Sequence, residues 1–152
     1  MTIYPDTSFF IALRFAEDIH HEAATNYLTR HDQETFLWSP WHRLEVSNTF
    51  RQLCSGANPL LSEGDARRII RRIEGDVRLG YFLHMEADWR DVLRTANEIS
   101  VGHAFSRRCR VADLCHVAYA HELAAELFIS FDQDQVELAA ASGLTAVSPG
   151  NR

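Results

Sequence analysis

The sequence predicts an α/β protein, specifically a three-layer α/β/α sandwich with a mostly parallel central sheet. Short apolar runs alternate with stretches of helical periodicity, in the order β-α-α-β-α-α-β-α-α-β-α-β. This alternation is typical of folds with a parallel sheet. Because crossovers between parallel strands are right-handed, we expect helices on both faces of the sheet.

The first half of the chain contains two predicted strands and four predicted helices. Ile3-Tyr4 ends the first strand, and Thr35–Trp38 is the second. Each helix follows a polar residue able to cap it, with apolar residues beyond at helical spacing. The capping residues are Asp6, Asp18, Ser39 (followed by Pro40) and Ser62.

The second half contains three more strands and three more helices. The strands are predicted at 80–84, 127–131 and 144–147. Asp88 caps the fifth helix, residues 111–118 belong to the sixth, and the seventh ends at Gly143, which suits the position after a helix. Residues 100–110 are predicted to form a loop or a frayed turn.

The composition indicates one ordinary globular domain covering residues 1–152, with 46% hydrophobic and 24% charged residues. The N-terminus lacks the pattern of a signal peptide. No apolar run approaches the roughly 20 residues that cross a bilayer, so we expect a cytoplasmic protein without a membrane contact. Three cysteines without a CxxC pair argue against a disulfide framework or a structural zinc site.

The net charge of −6 counts against a nucleic-acid-binding protein, because phosphates attract positive surface. It does not exclude one, since a nuclease with clustered carboxylates carries negative charge that a bound metal offsets.

Four acidic residues stand at positions that suit a metal site. Asp6 and Asp132 directly follow predicted strands, at the sheet edge where α/β proteins bind ligands. Asp113 lies in the first turn of an otherwise apolar helix, and Glu45 lies on the third helix. Mg²⁺ and Mn²⁺ prefer such oxygen ligands, and acids within about 6 Å of each other repel unless a cation is present.

Each acid also has a structural explanation. Asp6 and Asp132 can cap the helices that follow them. Asp113 can interact with the dipole of its helix, and Glu45 can be a solvated surface residue. Taken one at a time, these explanations are favoured.

Four sequence motifs around these acids, taken in order, resemble those of PIN domains over nearly the whole chain. They are Asp6-Thr7-Ser8; Leu44-Glu45-Val46-Ser47-Asn48; the segment 110–120 around Asp113; and Phe128-Ile129-Ser130-Phe131-Asp132. The resemblance implies an endoribonuclease that depends on Mg²⁺ or Mn²⁺. It also implies the toxin of a VapBC-like pair, silenced by a small antitoxin that covers the active site, and a homodimer.

By the same resemblance, Asp6, Glu45, Asp113 and Asp132 are the catalytic acids. Asp6, Asp113 and Asp132 would hold the metal, and Glu45 would bind a second metal or orient the attacking water. Ser8 and Ser130 would touch the scissile phosphate or order the site. Asp134, two residues after Asp132, is an alternative fourth acid.

Several arginines are candidates for binding the RNA backbone, namely Arg107, Arg108 and Arg110 before the sixth helix and Arg14 on the first.

His116 is interpreted as structural rather than metal-binding, because hard divalent ions favour oxygen. Three other functions stay open: a PIN nuclease of RNA processing without an antitoxin, an inactive interaction module, and a phosphatase-like hydrolase with Asp6 as nucleophile. The third is disfavoured because Ser8 stands where that class has a second aspartate.

Overall fold

The computed structural model describes residues 1–150 and contains a five-stranded parallel sheet in the order β3-β2-β1-β4-β5. The strands are β1 (Thr2–Pro5), β2 (Thr35–Trp38), β3 (Leu83–His84), β4 (Leu127–Ile129) and β5 (Ala146–Val147). The helices are α1 (Thr7–Arg14), α2 (His21–Arg30), α3 (Pro40–Gln52), α4 (Glu63–Arg78), α5 (Trp89–His103), α6 (Val111–Glu122) and α7 (Gln133–Ala141). The predicted fold class and order of elements are confirmed.

Alternate strand residues enter two separate hydrophobic cores, because successive side chains of a strand point to opposite faces. Ile3, Phe36 and Ile129 belong to the core that α1–α4 cover. Tyr4 and Phe128 belong to the core that α5–α7 cover. The sheet is therefore the middle layer of three.

Local chemistry explains most helix starts. Ser39 caps α3 and Pro40 occupies its first turn, where a missing N–H costs no hydrogen bond. Ser62 accepts a hydrogen bond from the backbone of Asp65, and Asp88 accepts one from Arg90. These three caps are as predicted.

The strands predicted at 80–84, 127–131 and 144–147 are shorter, at Leu83–His84, Leu127–Ile129 and Ala146–Val147, and two helix boundaries are wrong. Asp18 does not cap α2; its carboxylate accepts from the backbone N–H of His20 at 2.8 Å, and the helix begins at His21. Helix α5 continues to His103, although a loop was predicted from residue 100. Buried Ile99 extends the apolar face of α5 one turn past Ala96, and this packing outweighs the poor helix propensity of Gly102.

Strands β1 and β4 are neighbours at the centre of the sheet, and β2 lies on the other side of β1. The chain therefore leaves β1 and β4 toward opposite faces, which opens a crevice beyond their carboxyl ends. No helix among residues 1–150 is long and apolar enough to cross a membrane.

Candidate acidic active site

Asp6 is the most buried of the four acids, with 3% of its surface exposed at the end of β1. Its Oδ1 accepts hydrogen bonds from the Ser8 hydroxyl (2.5 Å) and the backbone N–H of Phe9 (3.2 Å), so it also caps α1. The Ser130 hydroxyl donates to Oδ2 at 2.7 Å. Burial raises the pKa of Asp6 above its usual value even though these donors lower it. A buried carboxylate of this kind is stabilised by a nearby cation.

Asp113 and Asp132 share one counter-ion, the guanidinium of Arg110. Its Nε lies 3.1 Å from Asp113 Oδ2, and its Nη2 lies 3.1 Å from Asp132 Oδ2. The hydrogen bonds that Arg110 donates to Asp113, together with the negative charges of Asp113 and Asp132, raise the pKa of Arg110. Asp132 also caps α7 by accepting from two backbone N–H groups. The structural role predicted for Asp132 and its place at the site are therefore compatible.

Glu45 enters the same crevice from α3 and is held by residues of two other helices. Thr7 of α1 donates its hydroxyl to Oε2 at 2.5 Å, and Nε2 of His116 on α6 contacts the same oxygen. Burial would raise the pKa of Glu45, but the hydrogen bonds from His116 and Thr7 and the nearby positive charges outweigh it and lower the pKa. The carboxylate is ionised at neutral pH and is not a solvated surface group.

All four acids line one cavity of about 290 Å³ at the crevice. The rest of its wall is formed by Thr7, Ser8, Ile11, Asp18, His20, Thr49, Arg110, His116 and Gln135. A second cavity of about 270 Å³ adjoins it, lined by Arg108, Arg110, Asp113, Asp132 and Asp134. The fold thus brings together acids that lie as far apart in the sequence as residues 6 and 132.

A model of the PIN-domain family matches residues 3–141. The chain belongs to the PIN-domain family.

Several solved structures have the same fold, and one of them is a toxin. VapC20 of Mycobacterium tuberculosis, a toxin that cleaves the sarcin–ricin loop, shares 22% identity over 95% of this chain and 98% of its own, with a TM-score of 0.68. FitAcB of Neisseria gonorrhoeae shares 16% identity over 99% of each chain, with a TM-score of 0.67. VapBC2 of Rickettsia felis, bound to a DNA fragment from its promoter, shares 11% identity over 97% of this chain and 98% of its own, with a TM-score of 0.70. No curated protein sequence gives a significant match.

The secondary residues predicted for this PIN domain lie in three settings. Ser8 and Ser130 both bond Asp6, as described above. Asp134 is exposed and lines only the second cavity, so Asp132 is the better placed fourth acid. Arg108 and Arg110 border the acids, whereas Arg107 pairs with Glu137 at 2.8 Å.

Arg14 lies away from the acids and forms a half-buried ion pair with Asp76 at 2.6 Å. Its guanidinium also stacks over Phe82. Arg14 does not line the acidic cavity, and its charge is paired with Asp76; its role as an RNA contact stays a prediction.

Besides Ile11, Asp18, His20 and Thr49, two further cavity residues, Thr7 and Gln135, were not singled out from the sequence as site residues. Thr7 stands beside Asp6 in the first motif, but its contact with Glu45 depends on how α1 and α3 pack. Gln135 is 3% exposed, and its Nε2 has no hydrogen-bond partner among residues 1–150. The sequence feature that could have indicated Gln135 is its position three residues after Asp132.

The donor set of the cavity suits a hard divalent cation, because carboxylate oxygens are the ligands that Mg²⁺ and Mn²⁺ prefer. The buried carboxylate of Asp6 and the two acids bridged by a single guanidinium show a local excess of negative charge. With the side chains in their present positions, residues 1–150 contain no group of three His, Cys, Asp or Glu side chains that could hold one metal ion. Arg110 separates the carboxylates of Asp113 and Asp132 from such an arrangement.

Proposed function

We propose that this PIN domain is a metal-dependent endoribonuclease that hydrolyses RNA phosphodiesters. The observation that carries the proposal is the single cavity lined by Asp6, Glu45, Asp113 and Asp132 beyond the carboxyl ends of β1 and β4. An acidic cavity repels RNA unless a cation is bound, and exposed Arg108 at its border supplies attraction for phosphates.

In this proposal Asp6, Asp113 and Asp132 hold Mg²⁺ or Mn²⁺. The bound ion would activate water and neutralise charge that develops on the phosphate. Binding requires the Arg110 guanidinium to leave the two carboxylates, after which it is free to bind RNA phosphate together with Arg108 and Arg107. Ser8 and Ser130 keep the buried Asp6 carboxylate oriented, and Glu45 orients the attacking water.

We further propose that the chain is the toxin of a toxin–antitoxin pair, acting in the cytoplasm. The support is the shared fold with VapC20, FitAcB and VapBC2. A small antitoxin would cover the acidic cavity. A homodimer is part of the same proposal; Trp89 and Leu93, exposed one turn apart on α5, are the first positions to substitute in testing it.

The test is cleavage of a mixed RNA pool by the purified protein with Mn²⁺, with Mg²⁺ and with EDTA. The matched variant is Asp6→Asn, Asp113→Asn, whose folding is checked first by circular dichroism. Metal-dependent cleavage that the variant lacks supports the proposal. If no RNA is cut and Mn²⁺ does not raise the melting temperature, the chain is an interaction module and the nuclease proposal fails, because a ligand of the native state must stabilise it.

A further inference from the structure

A line of buried and partly buried hydrogen bonds ends at Glu45, and His116 is its central member. The His116 ring is 2% exposed. Its Nδ1 lies 3.1 Å from the hydroxyl of Tyr4, a core residue of β1. Its Nε2 contacts Glu45 Oε2 and lies 3.0 Å from the hydroxyl of Thr7. One ring therefore connects the sheet to the one catalytic acid that comes from α3.

The chemistry of the partners fixes the direction of these bonds. Glu45 is an ionised carboxylate and can only accept. The Thr7 hydroxyl donates its proton to Glu45 Oε2, so its oxygen can only accept a hydrogen bond from the His116 ring. We therefore assign a proton to Nε2 of His116, which donates toward both Glu45 and Thr7. A nitrogen that carries this proton has no lone pair for a metal ion.

The ring itself is held on several sides. Its centroid lies 5.2 Å from that of His42, 5.8 Å from that of Tyr4 and 6.2 Å from that of Trp41. His42 is in turn fully buried and bonded to the backbone oxygen of Pro5 at 2.6 Å. Close packing of this kind leaves the ring one position.

The Glu45 side chain is less confined by packing than the His116 ring. Its side chain is 26% exposed, whereas the His116 side chain is 3% exposed. A glutamate on a helix surface loses rotamer freedom only when something holds its carboxylate. The fixed ring and the Thr7 hydroxyl are the groups that do so.

We propose that His116 is a positioning residue that holds the Glu45 carboxylate toward the cavity. The inference rests on the proposed ribonuclease function for its effect on rate, but the contact itself does not. His116 lies one helical turn beyond Asp113 on α6. The same helix therefore positions Asp113 directly and Glu45 through His116. The role differs from the purely structural one expected from the sequence.

Losing such a supporting hydrogen bond typically reduces activity about 10–100-fold. We expect His116→Leu to lower kcat by that factor while KM for RNA stays unchanged, because Glu45 acts on water rather than on RNA binding. His116→Gln keeps an amide N–H near the position of Nε2 and should recover most of kcat. A residue that only filled space would be replaced better by leucine than by glutamine.

The experiment compares these two variants with His121→Leu. His121 lies on the same helix and bonds the Ser142 hydroxyl at 3.0 Å, away from the acids, so this variant should keep the kcat of the wild type. Equal kcat in His116→Leu and the wild type would overturn the proposal. So would a loss in His116→Leu that His116→Gln does not recover.

A second measurement does not depend on activity or on the leucine variant folding. In protein labelled with ¹⁵N-histidine, Glu45→Gln should shift the ring signal of His116 and leave that of His121 in place. No shift at His116 would overturn the inference. If the shift is seen but the wild type cuts no RNA with any metal, the ribonuclease proposal fails and the positioning contact stands.

Discussion

Replacing Arg110 should make the apo protein less stable and increase its response to metal. The Arg110 guanidinium bridges Asp113 and Asp132 at 3.1 Å each, and its own side chain is 66% exposed. The two acids are less exposed, at 15% and 35%. In Arg110→Gln both carboxylates lose their counter-ion, and they lie in a cavity with three further acids, Asp6, Asp18 and Glu45.

The size of the effect follows from this exposure. Solvent-exposed ion pairs contribute about 0.2–1 kcal/mol each, so losing two lowers the free energy of unfolding by about 0.4–2 kcal/mol. In a domain of this length 1 kcal/mol corresponds to about 2–4 °C, which gives a fall of roughly 1–8 °C in Tm without metal. Saturating Mn²⁺ should close this gap, because the ion neutralises the same carboxylates without first displacing arginine.

The assay is thermal unfolding of wild type and Arg110→Gln across a Mn²⁺ titration. Arg94→Gln is the matched control, since Arg94 is 60% exposed and pairs with two acids, Asp91 and Glu98, on α5. Its loss of stability should be similar without metal and should persist with metal. If Arg110→Gln and wild type gain equally from Mn²⁺, arginine and metal do not compete, and the reasoning about the site is refuted.

Three further predictions concern Ser130, Glu45 and Arg108. Ser130→Ala removes a buried donor to Asp6 and an acceptor of the Asp132 N–H. Urea unfolding should show that the free energy of unfolding falls by about 1–3 kcal/mol. An unchanged urea midpoint would contradict the buried hydrogen bond. The lowered pKa of Glu45 stabilises the fold above the ordinary glutamate pKa, and this contribution disappears as pH falls through the lowered value. The stability difference between wild type and Glu45→Gln should therefore shrink in acid, and a difference independent of pH would count against an ionised Glu45. Arg108→Ala should reduce the slope of log K for RNA against log salt by about one, while an unaltered slope would remove Arg108 from the RNA surface.

The order of the elements was predictable because most of the helices begin with a local signal. Ser39-Pro40, Ser62 and Asp88 start helices through hydrogen bonds within one turn. The C-terminal end of α5 was not predictable in this way. Ile99 keeps the helix going by packing in the core with residues of other helices, and its sequence neighbours do not indicate that contact.

The four acids were predicted from the order of the motifs, and Asp6 and Asp132 also from their places after strands; both signals lie in the local sequence. The groups that bind those acids were harder to predict. Arg110 was expected to contact RNA, but here it bridges Asp113 and Asp132. Its contact with Asp132 joins the N-cap residue of α6 to that of α7, 22 positions apart. His116 reaches Glu45 across 71 positions, and only the tertiary structure, which brings these two side chains together, reveals the contact.

The most direct test of the account is a crystal structure of the protein grown with Mn²⁺, with the metal located by its anomalous scattering. The account predicts one peak in the acidic cavity, within bonding distance of Asp6, Asp113 and Asp132, and an Arg110 side chain turned away from both carboxylates. A cavity without a Mn²⁺ peak at saturating concentration, with Arg110 still bridging Asp113 and Asp132, would contradict it.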